Sequence, residues 1–189
     1  GSVFFFLRDD ALNAKDRFER FNPAGQAIAR DKAPFAQKQF GGTLGGPLKR
    51  DRTFYFLSFE RLDISAHNFV TIDDTNNVTF LGQPLGTPAA ILRRAGFAVE
   101  TGHVPYDIRS NQFLGKVDHQ LNTNNSLTGR FNWANDFNEN IEPFGGNVAR
   151  SRGAVLDSED LMFALSHLWV RSARLVNETR FQVANRDQT

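Results

Sequence analysis

From Phe113 to Leu121 the chain alternates. One phase reads Phe113, Gly115, Val117, His119, Leu121, and the other Leu114, Lys116, Asp118, Gln120. The next segment repeats the pattern, with Leu127, Gly129, Phe131 and Trp133 against Ser126, Thr128, Arg130 and Asn132. A period of two is that of a β-strand; helical spacing would bring Lys116 and Arg130 onto the apolar stripes. Between the segments lie the turn formers Asn122-Thr123-Asn124-Asn125, so the pattern predicts a β-hairpin. A second hairpin is predicted from Leu161 to about Val170 and from Asn177 to Asn185, turning at Ser172 to Leu175. Phe163, Leu165 and Trp169 share one face of its first strand, with Phe181 and Val183 on the partner. A third joins Gln39–Leu48 to Thr53–Asp63 across Lys49-Arg50-Asp51-Arg52. The aromatic run Phe54-Tyr55-Phe56-Leu57-Ser58-Phe59 does not alternate and reads as a strand covered on both faces, and Val3 to Leu7 as a further strand.

The connections alternate as well. Those near 49–52, 122–125 and 172–175 are about four residues each, whereas those near 10–37, 64–108 and 138–158 are long and rich in Asn, Asp, Gly and Pro. A compact soluble domain rarely needs three such loops, since most of its connections run to roughly 4–6 residues. Outer-membrane barrels have short turns at one rim and long loops at the other. The longest loop is expected to hold a short helix, with Thr87 as N-cap, Pro88 as first residue and Gly96 as stop.

Composition narrows the classes. Phe occurs 19 times, against two Tyr, two Trp and one Met, so a large apolar area must be covered by a ring that needs no hydrogen-bond partner. Lys plus Arg (22) nearly balance Asp plus Glu (21), which argues against nucleic acid as a partner. With no cysteine, disulfide scaffolds, thiolate catalysis and zinc–thiolate sites drop out. No stretch approaches the roughly 18 apolar residues of a spanning helix, and no signal-peptide pattern stands at the start. Barrel strands escape the helix criterion, because every second residue is polar.

The segment from Gln39 to Glu60, with Gly-Gly-Pro at 45–47, a basic turn and an aromatic strand closing on an acid, resembles the early barrel of TonB-dependent receptors. The resemblance is to the Oar-like branch, whose members carry a carboxypeptidase-regulatory-like N-terminal domain. Gly1 to Lys15 is similar to the passage from plug to first barrel strand, and Asn111 to Asn135 to a later hairpin. What it implies is a plugged barrel of about 22 strands that imports large or scarce ligands, driven by the TonB complex. By that reading residues 1–189 are a fragment: about seven strands of wall, without plug, TonB box or remaining strands. The implied partners are outer-membrane lipid, the plug, the rest of the barrel, the TonB complex through the plug, and an unidentified ligand. The implied location is the outer membrane of a Gram-negative-type bacterium.

Candidate chemistry is sparse. Gly41 to Lys49 has a phosphate-loop flavour, but Gly46 is followed by Pro47 where a Walker loop needs Gly-Lys-Ser/Thr opening a helix, so a bent glycine strand is the better reading. His67, His103, His119 and His167 have no paired spacing, and Asp73-Asp74-Thr75-Asn76-Asn77 lacks the spaced ligands of a calcium loop. No metal, cofactor or nucleophile–base set is read, and the chain is not expected to be an enzyme. Lys116, Asp118, Arg130, Asn132 and Arg180 share the polar phase and are candidate lumen residues. Phe113, Val117, Phe131, Trp133, Phe163, Trp169 and Phe181 are candidate lipid-facing residues. The fold expected is all-β: an antiparallel up-and-down meander forming part of a transmembrane barrel wall. Its rivals are a porin or adhesin translocator, and a soluble β-sandwich or carbohydrate-binding module, whose apolar faces would have to meet inside the protein.

Overall fold

The structure, a computed structural model, describes residues 1–15, 17–21, 25–27 and 31–189. Its elements are β1 (Ser2–Asp9), α1 (Arg17–Arg20), β2 (Phe35–Lys49), β3 (Thr53–Val70), β4 (Val78–Phe80), β5 (Gln83–Gly86), α2 (Pro88–Arg94), β6 (Gly102–Asn122), β7 (Asn125–Asn138), β8 (Leu156–Ser172) and β9 (Leu175–Gln188). Seven strands form one antiparallel sheet in the order β1-β2-β3-β6-β7-β8-β9. Each strand pairs with the next in sequence apart from the small β4–β5 hairpin. The all-β meander is therefore the fold, with long connections at one rim and short turns at the other. The connection near 10–37 contains residues 16, 22–24 and 28–30, which lie outside the described residues.

The local chemistry explains the turns. Asp51 holds φ +56° between β2 and β3, a left-handed position that Asp tolerates better than most side chains. At the β6–β7 turn Asn122 Oδ1 accepts from the Asn124 amide at 3.0 Å and from Asn125 Nδ2 at 2.8 Å. In the long loop Thr87 caps α2, its Oγ1 accepting from the Ala90 amide at 3.1 Å; Pro88 stands at the start and Gly96 (φ +92°) ends the turn after Ala95.

The strands run further than the alternation indicates. β3 continues to Val70 rather than Asp63, β6 begins at Gly102 rather than Phe113, and β7 reaches Asn138. Beyond Arg61 the apolar phase changes over, with Leu62, Ile64 and Ala66 alternating against Asp63, Ser65 and His67, and the ladder continues with paired residues as far as Val70↔Gly102. The β4–β5 hairpin is a second departure. Leu81 and Gly82 both take positive φ (49° and 79°), as the mirror-image hairpin turn requires, and Leu-Gly is a weak sequence signal for it.

No second layer covers the sheet among the described residues. The buried apolar side chains are Ala66, Val70, Ala89, Val99, Val104 and Phe144, all at the long-loop end. The sandwich alternative fails here, because it needs two sheets packed face to face. The glycines of β2 instead seat aromatic rings of the same sheet. A Cβ at Gly41 would lie 2.5 Å from the Phe59 carbonyl oxygen and 2.7 Å from the Phe4 ring. At Gly129 nothing lies within 4 Å.

Gly41→Ala should therefore cost about 1–3 kcal/mol through forced shifts of Phe4 and the β3 backbone. Gly129→Ala should stay within about 0.5 kcal/mol, as open positions do. Denaturant titrations of the folded protein compare the two; equal costs would show that Gly41 is not pinned.

Candidate functional site

In an antiparallel ladder, directly opposed residues share a face, and residues two apart along a strand stay on it. Register thus assigns each side chain to a face without reference to its environment. Tyr55, Val117, Gly129, Leu165 and Phe181 form one cross-strand row. Leu57, Gly115, Phe131, Phe163 and Val183 form the next, and Phe59, Phe113, Trp133, Leu161 and Asn185 the third. The three rows make an apolar band on a single face, and Phe163 (47%), Phe181 (58%) and Val183 (55%) are well exposed on it.

The band ends abruptly toward the long loops. The following row is Arg61, Asn111, Asn135, Glu159 and Asp187, polar on all five strands. Trp133 sits at this border and donates from Nε1 to Glu159 Oε1 at 2.8 Å, so its ring faces the apolar row and its polar edge the polar one. Toward the short turns the row Thr53, His119, Leu127, His167 is mixed, with Thr53 Oγ1 2.8 Å from His119 Nδ1 and His167 Nε2 3.1 Å from Asn125 Oδ1. Trp169 closes the band there, with Arg171 over its ring at 6.0 Å. The two tryptophans of the chain thus bracket the band. The partner of Trp133 in β8 is Leu161, eight residues from Trp169, or about 26 Å along the strand and about 20 Å of height at a tilt of about 40°. An outer-membrane apolar band is about 25 Å tall between aromatic girdles.

The band also drifts across the sheet. Phe5 aligns through Phe40 and Arg61 with Asn111, whereas Phe181 and Val183 align with Val117 and Gly115. A drift of about five residues, or about 17 Å, over six strand spacings of about 4.8 Å is a slope of about 30°. Barrel strands tilt by about 35–45° against the membrane normal, so a level apolar belt must cross them diagonally in this way.

Each candidate residue can now be placed. Phe113, Val117, Phe131, Trp133, Phe163, Trp169 and Phe181 all fall on the banded face, and Lys116, Asp118, Arg130, Asn132 and Arg180 all fall on the other. On that second face Lys116 Nζ pairs with Asp118 Oδ2 at 2.8 Å, and Thr128 Oγ1 donates to Asp118 Oδ1 at 2.7 Å. Arg130 Nε donates to Asn132 Oδ1 at 3.1 Å, and Arg180 pairs with Glu178 at 2.7 Å. The polar character is strongest on β6–β9; on β1–β3 it is limited to pairs such as Gln39 with Glu60 at 2.7 Å and Ser2 with Thr43 at 2.8 Å. On β1–β3 the same face carries Phe4, Phe6, Phe54 and Phe56, with Phe56 against Gly45. Phe54 and Phe56 remain 45% and 40% exposed, so the expectation that this strand is covered on both faces is not met within the sheet.

Sequence periodicity gave no sign of a packed platform at the long-loop rim. Val70, Val104 and Phe144 form a buried cluster joined by Ile72 and Tyr106, with the Phe144 and Tyr106 rings edge to face at 6.0 Å. Loop 139–155 adds itself to the end of β3: the Thr71 amide donates to the Gly146 carbonyl at 2.6 Å, and the Gly146 amide to the Phe69 carbonyl at 2.7 Å. Gly145 and Gly146 hold φ +122° and +56°, which confines the bend to glycine. Glu139 ties the loop to β6, accepting from the Asp107 amide at 2.9 Å and from Arg150 at 3.1 Å.

The remaining candidates resolve structurally. Gly41 to Lys49 lies in β2, not in a loop before a helix. Asp73 spends its carboxylate on its own turn. Asn76 Nδ2, the Thr75 and Asn76 amides and Thr75 Oγ1 all donate to it, which holds its pKa well below the usual carboxylate range. Because that pKa is depressed, the turn's stabilisation is complete above the unfolded value and is lost only in strong acid. Asp74 is taken by Arg93 at 3.1 Å. Among the described residues no group of three or more ligating side chains is placed to hold a metal ion.

A family model described as outer membrane beta barrel domain matches residues 1–76 and 76–189. No curated protein and no solved structure matches the chain.

The platform generates its own test. Phe144→Ala should cost about 3–5 kcal/mol locally, through lost burial and the space left behind. Hydrogen exchange should speed up at the Thr71 and Gly146 amides while the β6–β7 ladder keeps its protection. Faster exchange throughout would mean that the platform is not a separate unit.

Proposed function

We propose that this chain, which belongs to the outer membrane beta barrel domain family, builds the first wall strands of a TonB-dependent receptor in a Gram-negative-type outer membrane. In this reading the banded face meets lipid, the face of Lys116, Asp118, Arg130, Asn132 and Arg180 lines the lumen, and the long loops lie outside the cell. The observation that carries it is the drifting apolar band with a tryptophan at each border, joined to the alternation of short turns and long loops. Neither feature has a use in a soluble domain, and the resemblance of the Gly-Gly-Pro segment to the early barrel of these receptors supports the receptor over other barrels. The role is ligand passage, not catalysis.

Between importer and passive porin, the second face of β1–β3 supports the importer. A water-filled pore has no use for Phe4, Phe6, Phe54 and Phe56 on its wall, whereas a lumen-filling plug would cover them. The whole protein in planar bilayers should then show no steady conductance and should bind the periplasmic domain of TonB. A steady ohmic pore without TonB binding would turn the reading to a porin.

The lipid assignment has an energetic test. Phe131→Arg should cost about 2–4 kcal/mol in a folding titration into liposomes, whereas Arg130→Gln on the other face should cost roughly 0.5 kcal/mol or less. Equal costs would remove the assignment of faces.

A further inference from the structure

A cavity of about 620 Å³ opens at the long-loop rim between the two loops that flank β6 and β7. Its wall is mainly Ile72, Leu92, Phe97, Val99, Ile141 and Val148, contributed by loop 71–101 and loop 139–155. We propose that it binds an uncharged small molecule with an apolar body and one polar end, captured outside the cell. The proposal deepens the importer reading and rests on its placing the long loops outside.

Three observations carry it. The first is size and lining: small-molecule sites are apolar clefts of about 300–1,000 Å³ with few polar groups, and this one falls in the middle of that range. The second is construction. Its walls are held by the Val70–Val104–Phe144 cluster, by the Gly146 ladder to β3 and by Arg93, which pairs with Asp74 and donates to the Val99 carbonyl at 3.0 Å. The third is distance from lipid. The apolar band ends at the row of Arg61, and the cavity begins beyond Val70, nine residues or about 30 Å further along β3, so acyl chains do not reach it.

Charge decides the ligand class. The ionic groups of the lining are Glu142 and Arg152, which pair with one another and are largely exposed, marking the mouth. An ionic ligand end would have to displace one partner of that pair, whereas a hydroxyl or amide can bond to either without separating them.

The test is photolabelling of the whole protein in outer-membrane vesicles with 4-(hydroxymethyl)benzophenone, the labelled sites being mapped by mass spectrometry. Saturable labelling of the peptides around Phe97 and Ile141 is expected. Unlabelled 4-methylbenzyl alcohol should compete about tenfold better than 4-methylbenzoate, the ratio worth one hydrogen bond. Val148→Arg and, independently, Phe97→Asp should abolish the saturable component while the barrel stays folded by heat-modifiable mobility. Labelling confined to strand peptides and rising linearly with probe would overturn the proposal, as would equal competition by the two analogues. Either result would leave the importer reading to its conductance and TonB tests.

Discussion

Hydrocarbon offers no water to a backbone amide, so each strand in a bilayer must find a partner on both sides. The other features of this chain depend on that constraint. It requires next-neighbour antiparallel pairing, and the pairing in turn requires connections that alternate between the two rims. β1 and β9 each present an unpaired edge among the described residues and do not pair with each other. Seven strands are too few for a wide lumen, since barrel diameter grows with strand number. Further strands would complete the wall that we propose.

Pairing also fixes register, and register separates the faces. A slip of one residue would carry Phe131 and Phe163 to the face of Arg130 and Lys116. The apolar band is therefore a property of the ladder, and its diagonal course follows from strand tilt. Above it the apolar residues of β3 and β6 change face, to Leu62, Ile64, Ala66 and Ile108, and the strands become a scaffold for the loops, ending in the cluster at Val70, Val104 and Phe144.

Much of this was legible in the sequence. Alternation over Phe113–Leu121 and Leu127–Trp133 located two strands and the phase of every candidate residue on them, because one face of each is apolar there. Asn-rich and basic turn residues marked the short turns. Three features were not legible. In the extension from Arg61 to Val70 the apolar residues change phase, to Leu62, Ile64 and Ala66, so the segment does not continue the pattern of the aromatic face and reads as the strand's end. The platform joins Val70 to Phe144, residues far apart with no shared period. The aromatic run Phe54–Phe59 announced a second apolar face without saying that Phe4 and Phe6 would lie on it too, since that needs the register of β1 on β2.

The central claim is that one face of this sheet meets lipid and the other does not. Spin labels placed singly at positions 113, 115, 117, 129, 131 and 133 and at 114, 116, 118, 128, 130 and 132 of the reconstituted protein test it most directly. Collision with oxygen, which concentrates in hydrocarbon, should rise at the first set. Collision with a water-soluble nickel chelate should stay low there, and oxygen access should fall at every alternate residue between. Uniform access along both strands, or high nickel access at positions 131 and 117, would contradict the account.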